Sequence, residues 1–173
     1  MAISLYDASV TSYLQTLDAV SGLLDRGLAH CRANNIDAEE IVGTRIFPDM
    51  RPFRFQIQSL AFHSLGAINA IKNGVLNLPG DNPPDDYASL QGLIAATRDD
   101  LRKLTPREVN ACEGADVTLW IRDAEKVLSA EGFLMSFSLP NFYYHAATAY
   151  SILRSKGIPL DRLEYIGILR LRA

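Results

Sequence analysis

The chain has 173 residues, enough for one domain to bury a sizeable core without disulfides or a structural metal. Its formal net charge is −3 and it has no block of basic residues, which argues against a nucleic-acid partner. No apolar run reaches the ~18 residues of a membrane span, residues 1–30 lack a basic-then-apolar leader, and Cys31 and Cys112 stand in no metal or redox spacing, so a cytoplasmic protein that keeps out of membranes is expected.

Ser4 is placed to cap a long helix that begins near Leu5, with Asp7 in its first turn. Val10, Tyr13, Leu14, Leu17, Val20, Leu24, Leu28 and Cys31 recur at helical spacing as its apolar stripe, and Asn34-Asn35 ends it. His30 lies off that stripe in the last turn and reads as a solvated histidine. Asp37 caps a short helix over 38–42, closed by Gly43. After an irregular entry at 45–51, Pro52 suits the start of a second long helix, whose stripe is Phe53, Ile57, Leu60, Ser64, Ala67, Ile68 and Ile71. His63 falls about 60° from the centre of that stripe at ~100° per residue, with Gln56, Ser59 and Ala67 as its neighbours. Gly74 closes the helix, and the proline-rich stretch 77–86 reads as a surface loop.

A third helix is predicted over 87–104, followed by a short turn of helix capped by Thr105-Pro106. Residues 115–121 alternate with period two, Arg122-Asp123 can turn, and 124–128 can return, which predicts a β-hairpin with Trp120 as its packing anchor. Such a hairpin is marginal alone and must lie on the helices. Residues 131–138 read as a helical lead-in, and Pro140 either kinks that helix or starts a new one. The fourth long helix runs to Lys156, with Gly157 as its stop, and a short tail over 160–168 carries Glu164 and Tyr165. No internal repeat or long linker divides the chain, so residues 1–173 are expected to form one helical-bundle domain.

The fourth helix carries the most informative face. Phe142, His145, Ala146, Ala149, Ile152 and Leu153 share one side, with Asn141 one turn before His145 at its edge. An imidazole on such a face needs a polar partner, because a buried unpaired nitrogen costs about 1–3 kcal/mol. His63 of the second helix is a candidate to meet it.

The segments Ser4-Leu-Tyr-Asp-Ala-Ser-Val10, Pro48-Asp-Met-x-Pro-x-x-x-Gln56-x-Gln58, Gly66-Ala67, Leu139-Pro-Asn-Phe-Tyr-Tyr-His145 and Ala149-Tyr-x-Ile-Leu-Arg154-x-x-Gly157 together resemble an uncharacterised domain-of-unknown-function family of the DinB/YfiT-like group. The resemblance covers nearly the whole chain. It implies a mainly α, up-up-down-down four-helix bundle, commonly dimeric. In the wider group a histidine on helix two and a His-x-x-x-His pair on helix four hold a divalent metal, and some members are thiol-dependent transferases or metal-dependent hydrolases. By that resemblance His63 and His145 correspond to two metal ligands, while Asn141 stands where a third histidine would be.

Three readings follow. In the first, Zn, Ni, Fe or Mn sits between His63 and His145, with Asn141, Asp7, Glu164 or another carboxylate completing its shell. In the second, His145 and His63 serve a metal-free pocket for a small organic molecule, His145 as general acid or base, with Asn141, Tyr144, Gln56 and Ser59 binding substrate for an isomerisation, hydration or cyclisation. In the third, the protein is a non-catalytic homodimeric scaffold, with its histidines satisfied by each other, Gln56 or Ser59 and with Tyr143, Tyr144 and Tyr150 at packing or interface positions. A serine-hydrolase elbow and a glycine-rich phosphate loop are both lacking.

Overall fold

The computed structural model describes residues 3–78 and 83–171. Four helical rods carry the stripes read from the sequence, and their apolar faces meet in one core. Helix α1, Leu5–Ala8, is capped by Ser4 and leads into α2, Val10–Ala33. The single long helix expected from Leu5 is interrupted at Ser9, where ψ is −78° and the hydroxyl bonds the Leu5 carbonyl at 2.6 Å. A side chain that competes for a backbone acceptor in this way bends a helix. Helix α3, Glu39–Val42, then leads to the second rod, which is α4, Phe53–Ala61, a π turn over Phe62–Gly66, and α5, Ala67–Asn73. The third rod is α6, Tyr87–Arg102, capped by Asp86, and α7, Pro106–Asn110, follows behind a Thr105/Glu108 capping box.

Strands β1, Asp116–Ile121, and β2, Ala124–Ser129, pair antiparallel through a two-residue turn. Arg122 and Asp123 both adopt positive φ, 48° and 63°, as a type I′ hairpin turn requires. Val117 and Leu119 point into the core, and Thr118 bonds to the Gly74 and Leu76 backbone in a parallel bridge beside α5. Trp120 lies on the opposite face and is 58% exposed, so the packing anchor is Val117 with Leu119 and not the tryptophan. Helix α8, Ala130–Phe133, runs through a second π turn, Leu134–Ser138, into α9, Leu139–Ser155. Pro140 therefore sits in the first turn of α9 on a continuous helical path. Helix α10, Arg162–Ile166, ends the described fold, with Glu164 closing its capping box and pairing with Arg26 of α2. The expected loop over 77–86 lies partly outside the described residues, at 79–82.

The directions of the rods follow from cross-contacts. Tyr13 meets Phe142 and Ser138, and Gly27 faces Leu153, so α2 and α9 run the same way. Tyr87 bonds the Leu24 carbonyl and Arg98 bonds Asp18, so α6 runs against α2. Gln56 meets His145 and the His63 carbonyl meets Ser138, so the second rod runs against α9. The order is up, down, down, up, in place of the up-up-down-down order that the resemblance implied. The physical reason lies in the connections: at ~3.3 Å per residue the segment 74–86 reaches about 40 Å, enough to return along a rod of about 30 Å. The second rod packs chiefly against α9 and α6, the first against α6 and α10 with a smaller contact to α9, and the first and second rods face each other diagonally. Tyr87 fits against α2 because Gly27 leaves room for its hydroxyl, which an added Cβ would strike.

Candidate functional site

The seam between α4 and α9 brings His63 and His145 together. Both are 8% exposed, their ring centroids lie 5.6 Å apart, and their planes differ by 16°. His145 arrives on the apolar face of α9, as its spacing predicts. His63 arrives through the π turn. In a π turn bonds run from i to i+5, so one extra residue is accommodated and the phase of the stripe shifts. His63 and Ser64 consequently both point inward, although a regular helix would divide them between faces.

The second π turn, just before α9, fastens the first. Ser138 donates its hydroxyl hydrogen to the His63 carbonyl at 2.5 Å. That commitment leaves Tyr13 as the donor in its 2.5 Å bond to the same Ser138 oxygen. All three groups are buried, so a chain of two hydrogen bonds runs from α2 through Ser138 to the backbone of His63. Neither π turn nor this chain was read from the sequence. The only signal for it was a serine immediately ahead of the Leu139-Pro140 step.

Gln56 sets the tautomer of His145. Its amide nitrogen donates to the Arg51 carbonyl at 2.9 Å, which turns Oε1 toward the ring, 2.7 Å from Nδ1. Nδ1 therefore carries the hydrogen, and Nε2 presents a lone pair. Among the described residues every fully enclosed side-chain nitrogen or oxygen has a partner. The ring nitrogens of the pair that bond no protein atom consequently touch solvent rather than lying sealed in the core.

The walls are aromatic. Phe55 and Tyr144 meet His145 in T-shaped contacts with ring centroids at 5.8 and 5.2 Å, and Phe62 and Phe137 flank His63 at 4.8 and 5.4 Å. Arg51 lies over Phe55 at 5.2 Å, at the outer rim. Burial lowers the pKa of both histidines to about 4, and the neighbouring His145 adds to the effect on His63. Both imidazoles are thus neutral at pH 7.

Other residues singled out from the sequence fall at different distances from this centre. Ser59 is buried one turn before His63 on α4. Asn141 is half-buried and gives its amide hydrogen to the Phe137 carbonyl at 2.7 Å. Tyr144 is 54% exposed, so it forms a rim and not a floor. The two proposed carboxylate ligands are engaged elsewhere: Asp7 accepts from Ser4 at the start of α1, and Glu164 is held by Arg26.

The donor set can be tested against the metal that the resemblance implied. Among the described residues no three His, Cys, Asp or Glu side chains gather around one point. A catalytic zinc centre takes three protein ligands and an open position, so two imidazoles fall one ligand short, and an amide oxygen is a poor substitute. The residues present do not fit a resident transition metal. Among the described residues no helix is long and apolar enough to cross a membrane.

Four rods and a small antiparallel hairpin make this a mainly helical bundle. A solved structure described as a DinB family member protein from Shewanella denitrificans has this fold, with a TM-score of 0.86 over 98% of this chain and 95% of that chain at 21% identity. The chain itself belongs to the family described as "Domain of unknown function (DUF1993)", whose model matches residues 5–166. No curated protein matches it.

Proposed function

We propose that the protein receives a small, uncharged, planar organic molecule at the α4–α9 seam, held against the solvent-touching edges of His63 and His145 without a resident metal. The observation that carries this reading is the Gln56–His145 hydrogen bond, which fixes Nε2 of His145 as an acceptor beside a second neutral ring. Aromatic side chains on both flanks favour a flat ligand, and the absence of a charge at pH 7 favours a neutral one. Asn141, Ser59 and Tyr144 supply polar groups at the edges. With a pKa near 4, His145 is a weak base at neutral pH, so hydrogen-bonded recognition suits it better than proton abstraction.

A fragment screen followed by NMR tests this. Planar N–H donors such as imidazolones and pyridones are expected to shift the side-chain signals of His63 and His145, and His145→Phe is expected to abolish the effect. Absence of any shift at these rings across the screen would refute the reading. Zinc, nickel or manganese is expected to leave the melting temperature unchanged, because no high-affinity site couples metal to folding; a clear metal-dependent rise would favour the metalloenzyme instead.

A second copy of the chain is the proposed partner. The observation favouring it is the outward face of the hairpin, where Trp120 and Val127 are 58% and 57% exposed. Light scattering of the intact protein and of Trp120→Glu tests this, with a dimer expected for the first and a monomer for the second.

A further inference from the structure

A cleft of about 300 Å³ opens at the other end of α2, away from the histidine pair. It forms where α2 and α9 both stop. Asn35, at φ 54°, closes α2, and the Ile36 N–H returns to the Cys31 carbonyl at 2.9 Å. Gly157, at φ 83°, closes α9, and Arg154 holds the following turn by donating to the Ile158 carbonyl at 2.8 Å. The floor is apolar: Cys31, Ile41 and Ile158 are at most 2% exposed.

The polar lining is of mixed sign. Glu40 comes from α3 and Lys156 from the end of α9, on two separate elements. Among the described residues neither makes an ion pair, whereas Arg26, Arg98, Arg102 and Lys103 all do. Glu39, beside Glu40, is committed to the Tyr87 N–H at 3.0 Å, so the two glutamates have different work. His30 adds an N–H donor. Its Nδ1 lies 3.4 Å from the Asn34 amide nitrogen, which can only donate, so Nδ1 accepts and the hydrogen sits on Nε2.

We propose that this cleft is a binding site for a small zwitterion with an aliphatic side chain, of the α-amino-acid type. Lys156 and the His30 N–H receive its carboxylate, Glu40 receives its ammonium group, and the side chain lies on Ile41 and Ile158. The size agrees. At ~30 Å³ for each water-sized unit, the cleft accommodates about ten non-hydrogen atoms. Opposed charges on two different elements discriminate by distance as well as sign, because a ligand with one charge leaves the other group unanswered. The site is independent of the histidine pair and of the function proposed for it.

The test is a two-dimensional NMR titration of the intact protein with L-leucine, isoamylamine and 4-methylpentanoate, which share the aliphatic body and differ only in charge. L-Leucine is expected to shift the amides of Asn35, Ile36 and Lys156 in a saturable way, and each singly charged analogue to bind at least ~10-fold more weakly, the equivalent of about 1.4 kcal/mol. Glu40→Gln and Lys156→Gln are each expected to weaken leucine by the same factor with the melting temperature unchanged, since both side chains are exposed and unpaired among the described residues. The proposal is overturned if leucine shifts none of these amides, if the analogues bind as well as leucine, or if both variants bind it like the parent.

Discussion

Replacing Gln56 by methionine isolates the interaction that shapes the candidate site. Methionine keeps the length of the side chain and fills the same space, but it neither donates to Arg51 nor accepts from His145. The Arg51 carbonyl belongs to an exposed residue, so water replaces the lost donor there. His145 has no such recourse, because its Nδ1–H points at a residue that is 1% exposed. A buried donor left unpaired costs about 1–3 kcal/mol. For a chain of this size each kcal/mol lowers the melting temperature by about 2–4 °C, so a fall of roughly 2–12 °C is expected. Urea unfolding of the parent, Gln56→Met, His145→Phe and the double variant closes a cycle. In the double variant no orphaned donor remains, so the two changes are expected to couple by at least ~1 kcal/mol. Coupling below about 0.5 kcal/mol would show that the amide does not hold the ring, and the tautomer argument would fall with it.

Two further outcomes follow. Stability is expected to fall with acid in a defined window: a histidine in the unfolded chain takes up a proton near pH 6.5, and both folded ones resist it down to about 4, so between those values the unfolded state binds more protons and stability drops as pH falls, the histidine contribution alone levelling off below about 4. The upper bound is roughly 3 kcal/mol per histidine, and urea midpoints from pH 3.5 to 8 measure it, with a shallower slope expected in His63→Asn. Ser138→Ala strands the His63 carbonyl and the Tyr13 hydroxyl, and a loss of about 1–3 kcal/mol for each group is expected in the same assay, together with a shift of the His63 ring signals that a remote core variant would not cause.

The four rods were legible because their stripes are long and keep a 3.6-residue period, and the turn residues Gly74, Arg122-Asp123 and Gly157 stand where the chain turns. His145 was legible for the same reason, as a polar interruption of an apolar face. Its relation to His63 was harder. Angles counted at 100° per residue put His63 off centre, and the π turn that corrects this has no marker in the residues around it. Trp120 was misplaced because both faces of β1 carry apolar side chains, so alternation alone does not tell which face is buried. The order of the rods depends on where the segments between them return, which no local pattern encodes. The cleft beyond α2 was invisible because its lining comes from the ends of elements far apart in the chain.

Nitrogen-15 NMR of labelled histidine across pH 3 to 8 addresses the centre of the account most directly. Both rings of the seam should stay uncharged at neutrality, with His145 carrying its hydrogen on Nδ1 and each titrating near pH 4. A midpoint near 6.5 for either ring, or a hydrogen on Nε2 of His145, would mean that the pair is not the neutral, pre-set acceptor described for it.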